Sequence, residues 1–238
     1  EKDLLKNPPP LAVIDAVDVK EQPLAGYNKF AIRHSLDEGR GFIPVSPDMA
    51  TCSDCLREMR DPKDRRFHYP FINCTNCGPR FTVIEDIPYD RPRTSMKIFP
   101  MCRWCEEEYT DPYDRRFHAQ PVACPECGPG IAFIDENTHH MPARYVSSPA
   151  EVDEVLEKAK ALLKRGGVLA LKGLGGFHLA VNAEDAEAVK RLRERKHRYA
   201  KPFALMMRDI EQVKAYCIIT PEEISLLLSP RHPIVILK

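Results

Sequence analysis

Eight of the nine cysteines stand in four C-x-x-C pairs, and the pairs make up a unit that occurs twice. Cys52-x-x-Cys55 is followed after 18 residues by Cys74-x-x-Cys77, and Cys102-x-x-Cys105 after 18 residues by Cys124-x-x-Cys127. The two units lie 50 positions apart and share more than cysteine. Asp61-Pro62, Asp64-Arg65-Arg66-Phe67-His68 and Cys77-Gly78-Pro79 return as Asp111-Pro112, Asp114-Arg115-Arg116-Phe117-His118 and Cys127-Gly128-Pro129. A C-x-x-C knuckle points two thiolates at one ion and a second knuckle completes a tetrahedral shell, so the spacing predicts two four-cysteine metal sites. With every position filled by protein, no place is left for water or substrate, and the sites read as structural. The glycine after each distal pair supplies the free φ that a sharp turn needs.

Zinc is the expected ion for four thiolates, two Zn2+ in all. Iron in a rubredoxin-like site competes, because Cys124-Pro125-x-Cys127-Gly128 resembles a rubredoxin knuckle. Disulfides are disfavoured: there is no signal peptide and no long apolar run, which fits a reducing, cytoplasmic, non-membrane setting. His68 and His118 occupy matching positions and could replace a thiolate, but the cysteine sets are already complete, which favours packing or hydrogen-bonding roles. Ligation within each unit is the simplest assignment; the spacing leaves a cross-braced arrangement open.

These ions must be held by a stretch that is poor in aliphatic core. Residues 46–130 are rich in Pro, Arg, Asp and Cys and short of Leu, Ile and Val, so they need a metal staple to fold. Lys plus Arg and Asp plus Glu balance at 35 each, which gives no global attraction to nucleic acid or to a membrane. The 22 prolines concentrate in the first 150 residues, as suits loop-rich modules. Cys217 stands alone among apolar neighbours and reads as a buried small hydrophobe.

Four segments follow: 1–45, 46–90 with the first cysteine set, 91–147 with the second set and a connection, and 148–238. In the first, residues 11–17 and Phe30-Ala31-Ile32 read as short strands. The last has α/β texture. Ser148-Pro149-Ala150-Glu151 opens a helix, with Val152, Val155, Leu156, Ala159, Leu162 and Leu163 at helical spacing and Gly166-Gly167 as its stop. Residues 168–171 read as a buried strand and 177–181 as a second one, and 183–196 as a charged helix. Residues 201–207 are strand-like, 209–216 and 220–228 helical, and 233–237 begin a further strand.

A second candidate site lies between these elements. Lys172-Gly173-Leu174-Gly175-Gly176 sets a lysine at a strand end beside a turn rich in free N–H groups. Lys190, Arg191, Arg193, Arg195, Lys196, Arg198 and Lys201 cluster shortly after it. Such a run is a solvated helix face or a phosphate site, and the residues alone weigh the two evenly.

A resemblance tips that balance. Pro47-Asp48-Met49-Ala50-Thr51-Cys52, Cys55-Leu56, Tyr69-Pro70-Phe71-Ile72-Asn73-Cys74 and Cys77-Gly78-Pro79-Arg80-Phe81-Thr82 resemble the finger region of the HypF family, the carbamoyltransferases of [NiFe]-hydrogenase maturation. Pro88-Tyr89-Asp90-Arg91-Pro92, Thr94, Met96 and Phe99 are similar to the linker between that family's two fingers. Lys172 to Ala180, Lys196-His197-Arg198 and Ser229-Pro230 with Pro233-Ile234-Val235 resemble the start of its YrdC-like domain. The resemblance implies an α+β, small metal-bound fold: tandem four-cysteine zinc fingers, then the first part of a YrdC-like α/β domain.

In activity it implies a carbamoyltransferase. Carbamate from carbamoyl phosphate is adenylated with ATP and Mg2+, and the carbamoyl group passes to the terminal cysteine of a HypE-like acceptor. Lys196 and Arg198, as a K-x-R motif, would hold the nucleotide phosphates, with Lys172, Gly173, Gly175 and Gly176 lining the same cleft and His178 a candidate near the carbamoyl group. It further implies a longer enzyme, with an acylphosphatase-like domain ending in residues 1–45 and the rest of the YrdC-like domain beyond 238. The alternative is a zinc-stabilised RNA-binding module without catalysis; the finger block lacks the cationic excess and the aromatic stripe such a role needs.

Overall fold

The computed structural model describes residues 5–8, 11, 12, 14–21, 23, 26, 28, 45–173 and 175–238. The chain divides into two units, Glu1–Val45 and Ser46–Lys238. In the first unit the strand expected over 11–17 is not formed among the described residues, which run as irregular chain with Val17 exposed. A strand is stabilised by its ladder, and these residues pair with none. The strand expected at Phe30–Ile32 lies outside the described residues.

In the second unit each cysteine set is built on the same local frame. Cys52 and Cys102 have near-identical extended backbones (φ −69°, ψ 162° and φ −71°, ψ 164°) and cap helices α1 (Ser53–Arg60) and α2 (Arg103–Thr110). Each helix buries a single residue, Cys55 in one and Cys105 in the other. The chain then loops back. Asp64 and Asp114 accept from the N–H groups of Arg66 and Arg116, both at 2.7 Å. His68 and His118 take left-handed backbone (φ 55° and 52°), and their N–H groups donate to Met59 and Tyr109 at the ends of the helices. That turn aims the chain at the distal knuckle.

The cores these loops enclose are small. One gathers Cys55, Tyr69, Ile72, Cys74, Cys77, Met96 and Ala123; the other gathers Cys105, Ala119, Val122 and Cys124. Nearly half of these buried residues are the thiols themselves, so apolar burial alone contributes little here. Between the fingers, Arg91 is buried and its guanidinium donates to the carbonyls of Phe99, Gln120 and Val122 at 2.7–2.8 Å. Its own N–H donates to Gln120 Oε1 at 2.6 Å, which fastens the linker to the second finger.

Helix α3 (Pro149–Lys164) starts with Pro149 in its first turn, while the Ser148 hydroxyl donates to Glu151 rather than capping the backbone. Gly166 (φ 76°) stops it: Gly166 N–H donates to Leu163 and Gly167 N–H to Leu162, satisfying the last carbonyls. Strands β1 (Leu169–Gly173) and β2 (Gly176–Ala180) form an antiparallel hairpin with Leu171 opposite His178. Helices α4 (Ala186–Arg195), α5 (Ile210–Tyr216) and α6 (Pro221–Leu228) follow, each with a side-chain N-cap from Asp185, Asp209 or Thr220.

Two expectations fail here. The strand at 168–171 is present but not buried: Ala170, Leu171 and Lys172 are exposed, because no third strand covers the two-stranded sheet among the described residues. Residues 201–207 and 233–237 form no strand and pair in no ladder among the described residues, and Ile236 is 91% exposed. No helix among the described residues is long and apolar enough to cross a membrane.

Candidate metal centres

The loop-back of each finger brings Cys52, Cys55, Cys74 and Cys77 together, and likewise Cys102, Cys105, Cys124 and Cys127, with all sulfurs of a set within 4.8 Å of one another. The grouping is within units; no cross-braced set forms. Sulfur separations are 3.6 Å for Cys52–Cys74, 3.9 Å for Cys74–Cys77, 3.7 Å for Cys102–Cys124 and Cys124–Cys127, and 3.6 Å for Cys105–Cys127. A tetrahedral ion with bonds of about 2.3 Å to sulfur requires edges of about 3.75 Å. A disulfide requires about 2.05 Å. The donor sets therefore fit two zinc ions and exclude disulfides, and all nine cysteines are free.

Electrostatics agree. In the first set, sharing hydrogen with Cys74 and Cys77 pushes the Cys55 thiol far up, while hydrogen bonds from Cys55 and Cys74 pull Cys77 down. Cys105 is likewise pushed up against Cys124, which is pulled down by Cys105. Four sulfurs so close cannot all ionise without a cation among them.

The arginines of the repeated Asp-Arg-Arg-Phe-His string reach across to the other finger. Arg65 lies 3.2 Å from Cys105 Sγ and 2.7 Å from Glu108; Arg66 donates to Cys105 Sγ at 3.4 Å, to Glu108 Oε1 at 3.0 Å and to the Ala123 carbonyl at 2.8 Å. The reciprocal set is Arg115 to Cys55 Sγ at 3.2 Å, Arg116 to the Asn73 carbonyl at 3.2 Å, and both arginines to Glu58. Arg66 and Arg116 are buried. Burial opposes ionisation of Glu108, yet hydrogen bonds from Arg66 and Arg65 hold its carboxyl down at about 2. Glu58 is lowered in the same way, against its burial, by Arg115 and Arg116. Sequence reasoning missed these roles. The signal was there, because Glu58 and Glu108 recur three residues after Cys55 and Cys105 at the same offset as the arginines.

The glycines after the distal pairs differ from each other. Gly78 has φ 73° and needs a residue free to take that backbone. Gly128 needs space instead: a Cβ there would lie 2.0 Å from Tyr69 Oη and 2.5 Å from Ala123 Cβ. Neither paired histidine joins a cysteine set. His68 Nδ1 lies 2.7 Å from Asp153 on α3, and His118 stacks on Tyr109 at 5.0 Å. Cys217, expected to be buried, is half-buried after α5.

The second candidate group is laid out differently. Lys172 is exposed on β1 with Nζ 4.9 Å over the Phe177 ring, and Gly173 faces Gly176 at the hairpin end, with Gly175 at φ 77°. Lys196 ends α4 and Arg198 follows; both are exposed. Arg193, at 4.6 Å, and Arg198, at 5.7 Å, share the Phe203 ring, and Arg193 donates to the carbonyls of Arg198 and Lys201. No carboxylate pairs with Lys172, Lys196 or Arg198 among the described residues, and no hydrogen bond joins the hairpin turn to the Lys196–Arg198 turn. His178 is exposed on β2 with its ring beside Gly173, and among the described residues it forms no hydrogen bond or ion pair with these cations.

Fold and site together define a tandem four-cysteine finger protein continued by an α/β segment. Residues 51–84 and 101–134 match the HypF finger family, and residues 161–238 the Sua5–YciO–YrdC family described as telomere recombination. Carbamoyltransferase HypF of Synechocystis sp. is 49% identical over 98% of this chain. A crystal structure of full-length HypF in the phosphate- and nucleotide-bound form superposes with a TM-score of 0.82, at 56% identity over 96% of this chain. That of T. kodakarensis HypF gives 0.75 at 46% identity over 97%. Over nearly all of its own length the chain is similar to the finger and YrdC-like region of HypF proteins, and it spans 28–29% of those proteins' own lengths.

Proposed function

We propose that this chain is the central segment of a cytoplasmic hydrogenase-maturation carbamoyltransferase. The observation that carries the reading is the union, in one chain, of two finger modules with a YrdC-like segment, aligned nearly end to end with HypF proteins. In this reading carbamate from carbamoyl phosphate attacks the α-phosphorus of ATP, pyrophosphate leaves, and a carbamoyl adenylate forms. The thiolate of a HypE-like C-terminal cysteine then attacks the carbamoyl carbon and AMP leaves. Two zinc ions, when bound, fix the fingers as rigid nodes through Cys52, Cys55, Cys74, Cys77, Cys102, Cys105, Cys124 and Cys127.

Lys196 and Arg198 carry the cationic role. Adenylation builds charge on the α-phosphate and on the leaving pyrophosphate, and unpaired cations placed in advance lower that cost. Arg193 supports them by holding the backbone of their turn. Lys172 and the Gly173, Gly175 and Gly176 turn would line the same cleft, and Mg2+ entering with ATP would supply further positive charge against the phosphates there.

Calorimetry of ATP·Mg2+ on the full-length enzyme, beside its Lys196→Ala/Arg198→Ala variant, tests this. Loss of measurable binding in the variant is expected. Binding at wild-type affinity would return these residues to a solvated helix end.

A further inference from the structure

The hydrogen bonds that Arg65, Arg66 and Arg115 give to sulfur run from one finger to the other, while Arg116 also lies 3.8 Å from Glu108 of its own finger. Cys55 Sγ takes a hydrogen bond from Arg115 and Cys105 Sγ takes two, from Arg65 and Arg66. Arg115 also lies 3.7 Å from Cys52 Sγ. The guanidinium groups of Arg65, Arg66 and Arg115 are thus aimed at the neighbouring finger's metal-binding sulfurs, while their own finger fixes them there. Asp64 and Asp114 turn the arginine pairs outward, and the loop is closed by His68 onto Met59 or by His118 onto Tyr109. Packing follows the same pattern. Ala123, beside a thiol of the second set, belongs to the core of the first finger, and Tyr69 of the first donates to the Pro129 carbonyl of the second at 3.2 Å.

We infer that the two metal centres are thermodynamically coupled, so that each finger, once folded around its ion, tightens the other's hold through these arginines. The inference rests on the reading of both cysteine sets as zinc centres. Four thiolates around a divalent cation leave roughly two negative charges in a half-buried site, and a charge-assisted donor to sulfur relieves them. A finger that loses its ion loses the loop-back which positions its arginines, and the neighbour's sulfurs lose their counter-charge. Linkage requires the effect to be equal in both directions.

The test uses this chain loaded with zinc, a metal count, and rising chelator with timed alkylation of the thiols located by mass spectrometry. All eight ligand cysteines become reactive over one chelator range. Cys74→Ser, which breaks only the first set, makes the cysteines of the second set react about tenfold faster, within the usual span of coupling between sites. Arg65→Ala accelerates Cys105 more than Cys55, and Arg115→Ala does the reverse. A variant that merely misfolds would expose its own finger first, so this crossed pattern is the signature. Arg65→Lys, which keeps the charge, restores most of the protection. Two zinc ions with second-set rates unchanged by Cys74→Ser would overturn the coupling and leave the metal reading standing. A chain that binds no zinc would overturn both.

Discussion

The finger block and the α/β segment solve the problem of folding in opposite ways. In the fingers, Arg66, Arg91 and Arg116 are buried and paired, and the largest apolar core consists in good part of cysteine. In the α/β segment the charges are solvated, and Leu171, Phe177, Leu179, Ile234 and Ile236 are exposed. A small module with few aliphatic residues can be ordered by a metal shell and directed ion pairs. A two-stranded hairpin has no such device, and its apolar faces need cover from other elements.

The contrast breaks most readily at Arg66. Arg66→Ala leaves half-buried Glu108 to Arg65 and, at 3.8 Å, Arg116, and leaves the Ala123 carbonyl without its donor; it is expected to cost about 3 kcal/mol in chemical denaturation. Arg193→Ala, in the α/β segment, is expected to cost under about 1 kcal/mol, since its partners are solvent-exposed. Equal costs would erase the distinction between the two regions.

Glu108 sharpens it by pH. The folded carboxyl is held at about 2 against an ordinary 4.5, so its contribution is complete above about pH 5 and is lost as pH falls towards 2. Solvent reaches part of this carboxyl and screens it, so its contribution at neutral pH stays below the roughly 3 kcal/mol that the full shift would give. The stability difference between the wild type and Glu108→Gln should therefore shrink from pH 5 downwards over the range in which both still carry two zinc ions by mass. A difference that stays constant over that range would count against the clamp.

The smallest effect belongs to the uncovered faces. Ile236→Ala should change the stability of this chain by no more than about 0.5 kcal/mol, as for any exposed side chain. A loss of several kcal/mol would mean that the residue is packed.

What was legible in the sequence follows the range of the interactions involved. The cysteine sets were readable because a C-x-x-C knuckle is local and its duplication repeats the constraint. Helices α3 to α6 were readable from caps and periodicity, which also act within a few residues. The burial of β1 and the pairing of 201–207 and 233–237 were not, because ladder partners are remote and Val-Leu-Ala-Leu looks alike covered or bare. The Arg65–Glu108 and Arg115–Glu58 clamps lie between. Their residues stand out as repeats, but nothing local says that each set faces the opposite finger. Gly78 and Gly128 read alike in sequence, though one answers to backbone angle and the other to the Tyr69 hydroxyl.

The central claim is that two four-cysteine sets, each filled from its own finger, hold zinc and so hold the block together. Native mass spectrometry of the purified chain, before and after chelation and paired with near-UV circular dichroism, tests it most directly. A mass with two zinc ions is expected, together with a near-UV signal from the Tyr69 and Tyr109 surroundings that collapses when they are removed. A metal-free mass with that signal intact would contradict it.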